Sequence, residues 1–137
     1  MRPFLLATVV LVALPLGGCD AAQRLASEAM AAATPATPRP GADWSTTAEE
    51  FRGRLSQRYA YTCPAGGQAG PVWGNGPYTD DSSVCTAAVH AGAVTFSRGG
   101  PVVVEIRDGQ ASYSEGRSNG VDGMSYDAWE GSFVVVR

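Results

Sequence analysis

The sequence contains no lysine: all ten of its basic residues are arginine. It has one histidine, His90, and three cysteines. No run of five basic residues occurs, the net charge is −3 and the pI is near 5.0. These shortages argue against a nucleic-acid binder, which carries a basic surface, and against a polybasic patch for anionic membranes. A lone histidine and few cysteines offer no metal-ligand spacing, so neither a metal nor another cofactor is expected. The one long apolar run, Phe4 to Leu16, is about 13 residues, short of the roughly 20 that span a bilayer.

That run has another reading. Residues 1–19 are MRPFLLATVVLVALPLGGC. Arg2 supplies a positive start, and the apolar stretch has the length of a signal-peptide core. Leu16-Gly17-Gly18-Cys19 resembles the lipobox of bacterial lipoproteins, in which cleavage precedes a cysteine that carries lipid. The resemblance implies a signal peptide at 1–18, lipidation of Cys19 and anchoring in the cell envelope, facing the periplasm. The competing reading is an ordinary signal peptide with an incidental cysteine. Each buried acyl methylene contributes about 0.8 kcal/mol, so several chains anchor firmly. Asp20 resembles an inner-membrane retention signal of some enteric bacteria, and the choice between inner and outer membrane stays open.

About 120 residues remain after cleavage, enough for one modest domain and a tether. Cys63 and Cys85 form an even pair for an oxidising compartment, so a bridge is expected, with two free thiols as the alternative. Residues 19–42 read as a lipidated terminus and Pro/Ala-rich tether, because TPATPRP is extended and unable to continue a helix. Residues 43–58 read as a short helical lead-in, since Thr46 and Glu49 make a capping pattern and Phe51 and Leu55 an apolar stripe. Arg58–Thr62 alternate as a strand. Thr79 to Gly92 suggest a helix over about 81–91, capped by Asp80 or Asp81 and closed by Gly92. Its Val84, Cys85, Ala88 and Val89 share a face of mostly small residues that allows close packing. Strands are expected at 93–97, 101–107 and 132–136, turns at 108–109, 119–120 and 122–123, and a helical turn at 124–130. The fold class expected is α+β.

The segment VWGNGPYTDDSSVCTAAVHAG, followed by a Gly-Gly turn, a hydrophobic strand and SNGVDGMSYDAWEGSFVVV, resembles the LCCL domain, a module of animal extracellular proteins and bacterial secreted proteins. The resemblance covers residues 59–137. It implies a central helix wrapped by strands. Animal members carry four cysteines in two bridges; this sequence has two in the domain. Cys85 matches the cysteine of the family's helix, and Cys63, within Cys-Pro-Ala-Gly-Gly, has an ambiguous counterpart.

Catalysis has a weak basis. Cys85 and His90 are five residues apart and about 140° apart around a helix, so they diverge. Asp80 and Asp81 read as helix caps before they read as a calcium or acid–base pair. No catalytic residue is assigned and no enzyme is expected. Trp73, Tyr78, His90 and Trp129 are the candidate ligand-contacting residues, each with a core reading beside it. The chain thus reads as a non-catalytic binding module for an envelope ligand, namely lipopolysaccharide, a glycan or a protein. Some members of the family are associated with lipopolysaccharide and extracellular defence, though an acidic domain suits a phosphorylated lipid poorly. The alternative is a structural or assembly protein that docks an envelope partner.

Overall fold

Alternation organises the first long strand: Tyr59, Tyr61 and Cys63 are buried, while Thr62 between them is exposed. A computed structural model describes residues 36–137; the signal peptide expected at 1–18, Cys19 and residues 20–33 lie outside the described residues. The strands are β1 (Thr37–Arg39), β2 (Arg58–Cys63), β3 (Tyr78–Thr79), β4 (Gly100–Gln110), β5 (Gly116–Ser118), β6 (Val121–Gly123) and β7 (Trp129–Val136). The one α-helix among the described residues, α1 (Val84–His90), falls between β3 and β4. Five strands form one sheet in the order β1-β2-β4-β7-β3, and β5 and β6 form a separate hairpin. All pairings are antiparallel except β1 with β2. The architecture is α+β with one disulfide.

The centre of the sheet is apolar because Tyr59 lies opposite Val104, Tyr61 opposite Val102, and Ile106 opposite Phe133. These side chains join the helix residues Val84, Cys85, Ala87, Ala88 and Val89 in one buried cluster. All seven residues of α1 are buried. The helix packs on β4 on one side and on β6 on the other. Its small residues permit that approach, as their spacing suggested. Cys63, at the end of β2, bonds to Cys85 in the first turn of α1, with Cα atoms 5.6 Å apart. The bridge therefore ties sheet to helix inside the core, where the two sulfurs are 2 % and 0 % exposed residues.

The helix is shorter than the expected 81–91. It begins after Ser83, whose hydroxyl accepts the Thr86 N–H at 3.1 Å and donates to the Trp44 carbonyl at 2.8 Å. Neither Asp80 nor Asp81 is the cap. At the other end Gly92 is the left-handed residue expected, with φ +79°. Its N–H reaches the Val89 carbonyl and that of Ala93 reaches Ala88, the paired bonds of a Schellman closure.

Six other expectations change. Residues 37–39, within the stretch read as tether, form the edge strand β1, a position that tolerates Pro38 because its missing N–H breaks no central ladder. The lead-in at 43–58 holds only a 3₁₀ turn, Glu49–Phe51, and buries Ala48 and Phe51 in the same core as the rest. Residues 93–97 form a turn with one bridge, Thr95 to Gly99, where a strand was expected. The turn expected at 108–109 is continuous strand, since Asp108 and Gln110 pair with Gly131 and Trp129. Asp122-Gly123 lies within β6, and residues 124–128 are extended, with Met124 bridging Trp73 and Tyr126 bridging Tyr113. Asn119-Gly120 is a turn as expected; both residues have positive φ.

The bridge constrains a loop of sequence separation 22, worth about 3 kcal/mol in the chain-entropy description. Replacing Cys63 and Cys85 together by Ala is expected to lower the unfolding free energy by about that amount, read from urea melts. The Tyr61 hydroxyl is buried with no hydrogen-bond partner among the described residues, and burial pushes its pKa up to about 12 from 10.0. The folded state thus holds this proton more tightly than the unfolded one. Its contribution is complete below pH 10 and is lost as pH rises through about 12. Tyr61→Phe is expected to keep or raise stability at neutral pH, since it removes a buried group that lacks a partner, and to flatten the alkaline loss.

Candidate functional site

The four candidate ligand residues separate into two pairs. Tyr78 and His90 are 3 % and 2 % exposed and face each other across the core. The Tyr78 hydroxyl lies 2.9 Å from His90 Nδ1, and His90 Nε2 lies 3.0 Å from the Gly116 carbonyl. A carbonyl only accepts, so Nε2 carries the proton, and Nδ1 accepts from tyrosine. The ring joins α1 to β3 and to the β5–β6 hairpin. Asn119 reinforces that link by donating to the His90 carbonyl at 3.0 Å. The only histidine is therefore a structural residue with both nitrogens engaged. Cys85 is in the disulfide, so the two cannot act as a nucleophile–base pair.

Trp73 and Trp129 remain at the surface, half-buried, with the exposed Tyr126 between them. Ring centroids are 6.1 Å apart from Trp73 to Tyr126 and 5.6 Å from Tyr126 to Trp129, both edge-to-face. The backbone fixes each member. The Trp73 N–H donates to Ser82 Oγ at 3.0 Å. Tyr126 exchanges two main-chain bonds with Tyr113, and Trp129 pairs with Gln110. Met124 continues the row: it is 43 % exposed and bridges Trp73.

Asp80 holds the far end of this row in place. Its carboxylate is fully buried and accepts two bonds from Arg52, each at 2.8 Å, and a third from Trp129 Nε1 at 2.8 Å. The Arg52 guanidinium also lies over the Trp129 ring, 5.3 Å from its centroid, and reaches Glu130 at 3.3 Å. The Asp80 hydrogen bonds raise the Arg52 pKa further above its ordinary value. Gly131 is required beside this carboxylate, because a Cβ there would sit 1.9 Å from Asp80 Oδ2. This use of Asp80 explains why it does not cap the helix.

Tyr126, Arg52 and the true role of Asp80 were not found from the sequence. The spacing Tyr126-Asp-Ala-Trp129 looked helical, which hid that the two rings share one extended surface. No group of three or more His, Cys, Asp or Glu residues suited to a metal occurs among the described residues. The hollows near the row are shallow and open; one is lined by Glu115, Arg117, Asp122 and Met124. Such a surface offers stacking and hydrogen bonding to a ligand that lies across it.

Asp80→Ala is expected to destabilise the fold by about 3 kcal/mol, because it strands a guanidinium and an indole N–H at once. Asp80→Asn, which keeps an acceptor for Trp129, should lose less. Urea midpoints with tryptophan emission check both.

A family model described as "LCCL domain" matches residues 42–133. The mouse protein vitrin is 40 % identical over 84 residues, 60 % of this chain and 13 % of vitrin. Guinea-pig cochlin is 40 % identical over 77 residues, 55 % of this chain and 14 % of cochlin. The human protein named cysteine-rich secretory protein LCCL domain-containing 2 is 42 % identical over 55 residues, 40 % of this chain and 11 % of that protein. The chain thus spans only about an eighth of the length of the first two relatives. The matched region takes in the segment around Phe51 as well as the helix, β4 and β7 as far as Phe133, and on this match the chain belongs to the LCCL domain family.

Proposed function

We propose that the protein is a lipid-anchored, non-catalytic binding module displayed outside the cytoplasm, and that the row Trp73–Tyr126–Trp129 is its ligand contact. The observation that carries this reading is the exposed Tyr126, 43 % accessible, held between two indoles by main-chain bonds. Large aromatic side chains that stay at the surface on a fixed frame are suited to recognition, since little side-chain freedom is lost on binding. The buried disulfide fits an oxidising compartment. The name of one relative describes it as secretory. The lipobox at Leu16–Cys19 supplies the anchor, and no helix among the described residues is long and apolar enough to cross a membrane. The occupied state of His90 and Cys85 supports a role without catalysis.

The ligand classes that fit are an envelope glycan, lipopolysaccharide, or a protein. Titration of the purified full chain with lipopolysaccharide and with peptidoglycan fragments, followed by tryptophan emission, tests the glycan classes. If a glycan is the ligand, the change is saturable, and Tyr126→Ala abolishes it while keeping the wild-type urea midpoint. Binding that is indifferent to Tyr126→Ala would overturn the assignment of the site. Cys19→Ser is expected to move the protein from the detergent phase to the aqueous phase in phase partitioning.

A further inference from the structure

The chemistry around the aromatic row narrows the ligand. Carboxylates adjoin the ring residues in the chain. Asp127 and Glu130 are exposed and lie within the same extended segment as Tyr126 and Trp129. The Asp127 side chain makes no hydrogen bond or ion pair with the described residues. Asp81 precedes the serine that anchors the Trp73 backbone. One of its oxygens, Oδ1, is buried with no hydrogen-bond partner among the described residues.

The cation on this side, Arg52, is already neutralised. Asp80 binds it through two hydrogen bonds, and Glu130 and Glu49 stand at 3.3 Å and 3.8 Å. The pair Asp80–Arg52 leaves the remaining carboxylates in excess. Arg52 also shows what the row accepts: its guanidinium lies over the Trp129 face while carboxylates hold its edges. The face of an aromatic ring attracts a cation, and acids beside it add to that attraction. Among the described residues, no cation lies over Tyr126 or Trp73.

We propose that Tyr126 and Trp73, with the unpaired carboxylate of Asp127, bind a lysine or arginine side chain projecting from a partner protein. The inference rests on the reading that the row is the ligand contact, and selects protein over glycan as the ligand class. Charge complementarity decides the choice: a chain of net charge −3 whose aromatic row adjoins the unpaired Asp127 attracts a basic partner and repels a phosphorylated lipid.

The test uses the full chain in low salt, tryptophan emission as the readout, and three probes: the peptide Gly-Lys-Gly-Lys-Gly, its glutamate counterpart, and the neutral glycan chitotetraose. Saturable binding is expected for the lysine peptide alone. Asp127→Asn and Tyr126→Ala, each with an unchanged urea midpoint, should weaken it about threefold to fivefold. Lysine-peptide binding that is insensitive to Tyr126→Ala would overturn the proposal, since it would show charge attraction without the rings. Binding of chitotetraose that depends on Tyr126, with none of the lysine peptide, would overturn it too, while leaving the binding-module reading in place. If none of these probes, nor lipopolysaccharide or peptidoglycan, is bound, both readings fall.

Discussion

A helix of seven residues cannot hold itself together in water, because nucleation consumes more order than so few hydrogen bonds return. Yet α1 lies wholly inside the molecule. Everything around it follows from that constraint. Its unpaired N–H groups are met by Ser83, and its last carbonyls by the Schellman closure and Asn119. Cys85 fastens its first turn to β2, and His90 fastens its last turn to β3 and the β5–β6 hairpin. The polar residues at its two ends are therefore the reason that a small, buried helix is stable, and they are unavailable for ligand.

This arrangement separates structure from recognition. The polar and aromatic groups that point inward complete the core, and the aromatics that remain outside lie on loops and on the start of β7. Asp80 links the two regions. Its main chain joins β7 and the Ala48 turn, and its carboxylate orients Arg52 and Trp129. A rigid frame behind an exposed row is what a binding surface needs, since the rings are then presented in one geometry. One bridge and the dense contacts of α1 hold this domain together.

The sequence was most informative where a local rule had no competitor. Strict alternation in Arg58–Cys63, the Gly92 closure, the Asn119-Gly120 turn and the apolar run in β4 all appear where expected. It misled where a residue serves a distant partner. Asp80 looks like a helix cap, but bonds to Arg52, 28 residues away, and to Trp129, 49 away. Residues 124–130 carry helical spacing, but bridges to Trp73 and Tyr113 hold the first part extended before β7 begins. Likewise, Pro38 reads as linker until β2 offers its edge.

The sequence by itself determined the family, the α+β class, and the pairing of the only two cysteines in the domain, because a long motif and a cysteine count are local or arithmetic facts. Only the tertiary structure decided which aromatics are core and which are surface. Tyr78 and Trp73 lie five residues apart and look equivalent in the chain. One faces His90 because the chain turns inward at β3, and the other faces solvent because Ser82 and Met124 hold its backbone at the rim. Burial depends on what long-range pairing places on either side of a residue, and no local pattern carries that information.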